Sequence, residues 1–205
     1  MKILSCGAGM QSTALALMSC ENKKEIKYKE VPVYDAIIFC DLGNEPEWVY
    51  QQVDFIKNAC ENAGIPFYIL DTHLYQDYLD NFGKHRVVSI PFWSVDENGK
   101  KGKMMRNCTL DYKINEIIKF VKYELLGYVK YQRVKNEDLK AHEMHLGFSL
   151  EEKHRCKENN HKMFVNKFPL VEMEIYSRKM GVRYKSKCML FLSISYQLLF
   201  RIYEI

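Results

Sequence analysis

The sequence predicts an α/β fold: a three-layer α/β/α sandwich built on a mainly parallel, Rossmann-like sheet. Short apolar segments alternate with amphipathic segments near the start of the chain, and this order implies right-handed crossovers that pack helices against a sheet. The run at residues 36–40, AIIFC, is apolar without a break, which is typical of a strand buried on both faces of a parallel sheet. A glycine-containing turn at residues 5–13 joins the first strand to the first helix.

The helices are predicted from apolar residues at helical spacing and from the residues that end them. Residues 47–63 form one such helix, because its apolar side chains share a face and Gly64 follows its last residue. The predicted faces are Val49, Val53, Ile56 and Cys60 in this helix, and Leu110, Ile114, Ile117, Val121 and Leu125 in a later one. The predicted strands are residues 2–5, 36–40, 67–70 and 144–148, and the predicted helices are residues 12–20, 47–63 and 110–125.

We predict one domain at residues 1–187, followed by a divergent apolar C-terminal tail at residues 188–205. A chain of 205 residues, of which 47% are apolar, can bury a full core. Residues 83–106 are rich in glycine and lysine and show little periodicity, so we expect a functional lid or a mobile segment there. The tail is too short to span a bilayer and contains Gln197 and Arg201, so no membrane partner is predicted.

Charge and cysteine content favour a cytoplasmic protein. The formal net charge of +4 tolerates a nucleotide or nucleic-acid partner without requiring one. The seven cysteines are odd in number and widely spaced, so they do not indicate a disulfide framework. The chain begins directly with a predicted strand, which leaves no room for a signal peptide. A reducing compartment is therefore expected.

The segment at residues 5–13, SCGAGMQST, has the composition of a phosphate-binding turn. Gly7 and Gly9 allow the backbone to turn sharply and to approach a ligand closely. The helix that follows offers unpaired N–H groups and the positive end of its dipole. Additional hydroxyl donors are Ser5, Ser12 and Thr13.

Two common phosphate-binding motifs do not match this segment. It contains no lysine and does not end in Gly-Lys-Ser/Thr, so it is not a Walker loop. Ser12 stands where the dinucleotide-binding fingerprint has its third glycine. The alternative interpretation is a strand-to-helix turn that Ser12 caps and whose glycines serve only packing.

The segment resembles the Ser-Gly-Gly-x-x-Ser signature of the PP-loop ATP pyrophosphatases, which have a HUP-type sheet. The likeness is greatest to the phosphoadenosine phosphosulfate (PAPS) reductase-like branch of bacteria and phages. Cys6 and Ala8 depart from the parent signature, and Leu42 replaces the Thr of the family's Asp-Thr-Gly-x-Glu element. The later blocks that resemble the family, in the same order, are residues 38–46, 106–113, 147–155 and 166–178.

This resemblance implies an enzyme that binds ATP and Mg²⁺ and adenylates a substrate. A substrate oxygen attacks the α-phosphorus, pyrophosphate leaves, and a second nucleophile then takes the adenylated substrate. The acceptor would be a small molecule or a nucleic acid, for sulfur transfer or for nucleotide modification. The implied nucleotide-binding residues are Ser5, Gly7, Gly9, Gln11, Ser12, Thr13 and Glu45, and the implied catalytic residues are Asp41, Arg106 and Lys113. The alternative roles are a strand-end turn for Asp41 and a solvated helix start for Arg106 and Lys113.

Cys108 and Cys188 are the candidate metal ligands. In this branch, the resemblance implies a thiolate-bound metal or an iron–sulfur cluster held by an Arg-x-Cys block and a later Cys-x-x-Cys-Pro pair. Phe191 stands here where the second cysteine of the pair belongs, and two cysteines are too few for a closed site. Two histidine motifs are interpreted as surface residues, namely His142-x-x-His145 and His154-Arg155-Cys156.

Two alternative functions remain open. The first is a PAPS or adenylyl-sulfate reductase, but that chemistry needs a thiolate on a mobile terminal segment, and Cys188 is the last cysteine of the chain. The second is a degenerate, non-catalytic nucleotide-binding module. With permitted codons, residues 189–195 can be read one base later as Cys-Tyr-Phe-Cys-Pro-Tyr-His, so a frameshifted tail would explain such a loss.

Because the cysteine pair is incomplete, we predict that the purified protein is colourless and lacks stoichiometric iron or zinc. Two thiolates leave at least two positions of a tetrahedral site to exchangeable water. Elemental analysis by mass spectrometry, with a visible absorption spectrum, measures this. One metal per chain that survives gel filtration and disappears in Cys188→Ser would contradict the prediction.

Overall fold

The computed structural model of this chain describes residues 1–81, 93–95, 97–103 and 110–177. These residues form two compact units. The first unit contains residues 1–37, 47–67 and the described residues from 134 onwards, and the second contains residues 38–46 and the described residues of 68–133. The predicted tail lies outside the described residues, as do Arg106 and Cys108.

The described chain folds into strands and helices that alternate over its first part, as predicted. The strands are β1 (Lys2–Cys6), β2 (Ala36–Asp41), β3 (Phe67–Asp71), β4 (Trp93–Val95), β5 (Lys101–Lys103), β6 (His142–Leu146) and β7 (Phe164–Lys167). The helices are α1 (Met10–Lys24), α2 (Glu47–Ala63), α3 (Leu74–Asn81), α4 (Asn115–Phe120) and α5 (Pro169–Glu172). Shorter helical turns lie at Leu110–Ile114, Val121–Leu125, Asn136–Asp138 and Leu150–Arg155.

The predicted α/β fold with a mainly parallel, Rossmann-like sheet is confirmed. The main sheet has five strands in the order β3-β2-β1-β6-β7. β6 pairs in parallel with β1 on one side and with β7 on the other, and Leu4 lies opposite His145 in the first pair. Residues 36–40 of β2 are all buried, as their unbroken apolar run predicted.

The order of the strands reverses between β1 and β6. The chain places β2 and β3 on one side of β1, and it later adds β6 and β7 on the other side. In open α/β sheets, ligands bind beyond the carboxyl ends of the strands at such a reversal. The loops that follow β1 and β6, both in the first unit, therefore flank the position at which a ligand is expected.

The sequence pattern predicts α2 accurately and the helical segment after residue 109 less accurately. α2 spans the predicted residues 47–63, and its four predicted face residues are its buried ones. The helical segment after residue 109 is π-helical in its first and last turns. Because π turns widen the repeat, the predicted face is wrong at its start: Leu110 is 51% exposed, whereas Ile118 is buried.

Part of the predicted lid at residues 83–106 has regular structure. β4 and β5 pair antiparallel, with Ser94 opposite Gly102. Gly99, between them, has φ 78°, a left-handed conformation that favours glycine. The described portion of this segment is therefore a hairpin. Within the described residues, no helix is long and apolar enough to cross a membrane.

The histidines of β6 are buried, so their prediction as surface residues is wrong. His142 and His145 are 5% and 4% exposed. The imidazole of His142 lies 3.0 Å from an Asp138 carboxylate oxygen and 3.2 Å from the N-terminal amine of Met1. His145 Nε2 lies 3.1 Å from a Glu143 carboxylate oxygen. β6 is an interior strand of the sheet, between β1 and β7, and such a strand buries residues on both of its faces.

Burial lowers the pKa of the His145 imidazole, although the Glu143 carboxylate opposes the change. We therefore predict that the free energy of unfolding falls as the pH falls below about 6.5, the ordinary histidine value. The folded state keeps the imidazole neutral, so the unfolded chain binds the proton more readily and unfolding is favoured by acid. One proton limits the slope to about 1.4 kcal/mol per pH unit.

Urea denaturation of wild type and His145→Gln between pH 5 and pH 8 measures this contribution. The difference in free energy of unfolding between the two proteins should shrink as the pH falls, because only wild type contains the titrating imidazole and loses its contribution in acid. His154→Gln is the matched control, since His154 is exposed. A difference between wild type and His145→Gln that does not vary with pH would contradict the prediction.

Candidate functional site

The turn after β1 has an open face towards solvent. Gly7 and Gly9 are exposed, whereas Ala8 between them is buried at 4% exposure. A Cβ added to Gly7 would meet no heavy atom within 4 Å, and one added to Gly9 would meet only Gln11 Oε1 at 4.0 Å. Among the described residues, therefore, no atom other than Gln11 Oε1 lies within 4 Å of these two Cβ positions.

Ala8, not a glycine, holds the left-handed backbone position of this turn. Its φ is 52°, which costs an alanine roughly 1–2 kcal/mol relative to ordinary backbone. The side chain is nevertheless packed inwards. This strained residue allows the chain to leave β1 and enter α1 within three residues, and strain of this kind is found most often at functional sites.

The first turn of α1 carries no side-chain cap. Gly9 is its N-cap, with φ −81° and ψ 172°, and it has no side chain to accept a hydrogen bond. The first turn also contains no acidic residue, whereas Lys23 and Lys24 lie in the last turn. The N–H groups of the first turn and the positive end of the dipole are therefore directed at the exposed turn.

The Ser12 side chain forms hydrogen bonds within the turn. Its hydroxyl donates a hydrogen bond to the Gly9 carbonyl at 3.2 Å and accepts one from the Gly7 N–H at 3.3 Å. The side chain is buried, at 7% exposure. Ser12 thus stabilises the shape of the turn, but the alternative interpretation is wrong in making it the cap, because Gly9 is the N-cap of α1 and no side chain caps this helix. The contact of Ser12 with phosphate stays a prediction.

Thr13 and Gly147 connect the turn to the rest of the first unit. The Gln52 amide of α2 donates to the Thr13 hydroxyl at 3.2 Å. Gly147, directly after β6, lies against the same turn of α1: a Cβ added there would come within 2.8 Å of the Ser12 backbone nitrogen. Only glycine permits so close an approach between the chain after β6 and the start of α1.

Gln11 joins α1 to the chain that follows β6. Its amide Nε2 donates to a Glu152 carboxylate oxygen at 3.3 Å and to the Ser177 hydroxyl at 3.4 Å. The Ser177 hydroxyl donates to the Ser149 hydroxyl at 2.8 Å, and Ser149 is fully buried. We call these four residues, Gln11, Ser149, Glu152 and Ser177, the Gln11 network. Ser149, Glu152 and Ser177 were not predicted as site residues. Ser149 and Glu152 lie in the 147–155 block that resembles the family, and Ser177 lies after it.

Charged groups surround the Gln11 network. Arg155 forms an ion pair with Glu152, and its guanidinium lies 4.5 Å from the centre of the Phe148 ring. The backbone N–H of Ser177 donates to a Glu151 carboxylate oxygen at 2.9 Å and lowers the pKa of that carboxyl. The Gln11 side chain therefore contacts one carboxylate, that of Glu152, which is itself paired with a guanidinium.

In the second unit, Asp41 shapes the turn after β2. Its carboxylate accepts a hydrogen bond from the Gly43 N–H at 2.8 Å, and Gly43 has φ 86°. The Asp41 carbonyl accepts from both the N–H and the hydroxyl of Thr72, at 3.0 Å and 2.8 Å. These contacts agree with the alternative role of Asp41 as a strand-end turn residue, and its catalytic role remains a prediction.

Glu45 and Lys113 lie close together in the second unit. Lys113 Nζ is 4.0 Å from a Glu45 carboxylate oxygen, and both side chains are largely buried, at 30% and 22% exposure. The Lys113 carbonyl also accepts a hydrogen bond from the Cys40 thiol at 3.6 Å. Burial raises the pKa of that thiol to about 12, so Cys40 is protonated and unreactive at neutral pH. Lys113 is thus an ordered cation beside a carboxylate.

The predicted metal ligands cannot be placed, because Cys108 and Cys188 lie outside the described residues. Within the described ranges, no three residues among His, Cys, Asp and Glu are arranged to hold a metal ion. None of the described cysteines is in a disulfide, and these cysteines are Cys6, Cys20, Cys40, Cys60 and Cys156.

No protein-family model matches this chain, and no curated protein matches it either.

Because Gly147 lies against α1, we predict that substitution by alanine destabilises the protein much more at Gly147 than at Gly7. Gly147→Ala should lower the free energy of unfolding by about 1–3 kcal/mol, because its Cβ would overlap the backbone of α1. Gly7→Ala should change it by less than about 0.5 kcal/mol, because the added methyl group meets open space. Urea denaturation of both variants measures the two values, and equal effects would show that the chain after β6 does not lie against α1 as described.

Proposed function

We propose that this chain binds ATP at the turn after β1 and uses it to adenylate an acceptor, with release of pyrophosphate. The observation that supports this most strongly is the exposed Gly7–Gly9 backbone immediately before an uncapped helix N-terminus. The turn also lies at the reversal of strand order, where open α/β sheets bind ligands.

The chemistry of the turn suits a polyphosphate. The free N–H groups of the first turn of α1 are fixed donors, and the helix dipole stabilises negative charge beside them. As an acceptor oxygen attacks the α-phosphorus, negative charge develops on the leaving pyrophosphate. Donors that are already positioned stabilise this charge without reorganisation. Ser5, Gly7, Gly9 and Thr13 are the proposed binding residues around these N–H groups, with Ser12 holding the turn in shape.

Gln11 has a proposed role beyond direct binding. Its amide is held by Glu152 and Ser177, so its orientation in the first turn of α1 is set before any ligand arrives. Both N–H donors of the amide are used in these two contacts, and its oxygen can only accept a hydrogen bond. We therefore assign Gln11 to the nucleotide site as a residue that positions the first turn of α1 through the Gln11 network.

Magnesium fits the residues of this chain by the chemistry of the donors. Mg²⁺ is usually held by one or two carboxylates together with phosphate oxygens and water, so it needs no cluster of three protein ligands. Asp41 and Glu45 provide carboxylate oxygens of the type that it prefers. When bound, the ion would neutralise phosphate charge. The candidate ligands of an iron–sulfur cluster, Cys108 and Cys188, lie outside the described residues, and the proposed reaction does not use such a cluster.

We propose a cytoplasmic location, where ATP is abundant and where the described cysteines, none of which is in a disulfide, would stay reduced. The acceptor is a small molecule or a nucleic acid, and the mild net charge of +4 is compatible with either. Asp41, Arg106 and Lys113 are the proposed catalytic residues.

A thermal-shift screen with ATP, AMP and PAPS, each with and without Mg²⁺, tests the ligand. Saturation at a hundred times the dissociation constant stabilises the folded protein by about 2.7 kcal/mol. ATP stabilisation that increases with Mg²⁺ supports the proposal. Stabilisation by PAPS alone, with thiol-dependent sulfite release, would instead identify a reductase. ATP binding without pyrophosphate release over a panel of acceptors would leave a non-catalytic nucleotide-binding module.

Gly9→Val should abolish ATP binding and leave the fold intact. The backbone of Gly9 is extended, which valine adopts easily, and its Cβ would point into open space. Among the described residues the added Cβ would meet only Gln11 Oε1, at the ordinary contact distance of 4.0 Å, so the valine side chain would occupy the space proposed for the phosphate. Isothermal titration calorimetry measures the affinity, and urea denaturation of the same variant is the control. Unchanged ATP affinity in a folded variant would overturn the proposed site.

A further inference from the structure

The interface between α1 and α2, both in the first unit, contains two facing thiols. Cys20 lies in the last part of α1 and Cys60 in the last part of α2. Their sulfur atoms are 3.9 Å apart and share a hydrogen bond. Cys60 is fully buried, and Cys20 is 9% exposed. Neither residue belongs to the candidate site, and the proposed function does not use them.

The two sulfur atoms are close enough for a disulfide to form after a small rearrangement. A disulfide needs about 2.05 Å between its sulfur atoms, so the pair must close by roughly 1.9 Å, which rotation of the two side chains and a small shift of the helices can supply. The two residues are far apart in the chain and lie on different helices. A disulfide between them would therefore crosslink α1 to α2.

The ionisation of the pair favours reaction at Cys20. When Cys20 ionises, the Cys60 S–H donates to its thiolate, which lowers the pKa of Cys20 and raises that of Cys60. Lys24, one helical turn further along α1, lowers the pKa of Cys20 as well. By contrast, burial raises the pKa values of Cys40 and Cys156. The more acidic thiol of the pair is also the one with some solvent exposure.

We propose that Cys20 and Cys60 form a reversible disulfide in response to peroxide and that this bond controls the nucleotide site. The Cys20 thiolate attacks one oxygen of hydrogen peroxide, the O–O bond breaks, and the hydroxide released takes a proton to form water. The resulting sulfenic acid is attacked by the Cys60 sulfur, which forms the S–S bond, and a second water leaves. Two thiols lose two electrons and two protons, and one peroxide becomes two waters.

The connection to the nucleotide site runs along α1. Thr13, seven residues before Cys20, receives the Gln52 hydrogen bond from α2, so the same two helices meet near the turn and again at the thiol pair. A disulfide between Cys20 and Cys60 would change the packing of α1 against α2. Because α1 begins at the turn that would bind phosphate, this change would reach the proposed nucleotide site. This part of the inference rests on the proposed function, and we expect ATP binding to weaken about fivefold or more.

Peptide mapping of the full chain after treatment with hydrogen peroxide and alkylation of the remaining thiols tests the bond. We expect a linked peptide containing Cys20 and Cys60, two mass units lighter than the sum of the two reduced peptides, that disappears after reduction with dithiothreitol. Cys60→Ala should lack it, and Cys156→Ala, the matched control at an unpaired thiol position, should retain it. Cys20 in the sulfinic form with Cys60 still reduced, or no change at either residue, would overturn the proposal.

The effect on the site is measured separately, as the ATP dissociation constant of the oxidised and re-reduced protein. Fivefold weaker binding after oxidation in wild type, and none in Cys60→Ala, supports control of the site. Unchanged affinity in fully linked protein overturns that control. If the reduced protein does not bind ATP at all, the proposed function fails, whereas the peptide map still decides whether the thiol pair is a redox couple.

Discussion

The candidate site of the first unit depends on the close approach of the backbone at Gly147 to the first turn of α1. Parallel pairing of β1 and β6 places the carboxyl ends of both strands at the same edge of the sheet, so the chain segments that follow them must share one space. Any side chain at Gly147 would enter the backbone of Ser12. The contacts of Gln11 with Glu152 and Ser177 are possible only because this approach is allowed.

The electrostatics of this region explain why a cation belongs to the proposed reaction. The positive end of the α1 dipole favours the proposed phosphate, but the Glu152 carboxylate contacts Gln11 in the first turn of the same helix. Like charges at short range repel even when solvent screens them. Arg155 offsets part of the carboxylate charge through its ion pair with Glu152. A divalent cation bound with the polyphosphate would offset the rest, and this makes magnesium dependence an informative property of the site.

The buried core of the first unit contains polar and ionisable groups as well as apolar ones. His145 and the Cys20–Cys60 pair are all within the packed interior. Burial disfavours the charged form of a group, so the His145 imidazole is held neutral, whereas the pairing of the two thiols favours ionisation of Cys20. The core therefore responds to acid and to oxidants at positions that are separate from the turn after β1.

Local patterns in the sequence were sufficient for the fold class, for the bounds of α2 and for the exposed glycines of the turn after β1. Those features depend on periodicity and on backbone freedom, which neighbouring residues control. Tertiary structure decided the rest, since it depends on which segments meet. The burial of His142 and His145 follows from the position of β6 between two other strands, β1 and β7. Likewise, the Gln11 network and the thiol pair join residues that are distant in the chain, and no local pattern records such contacts.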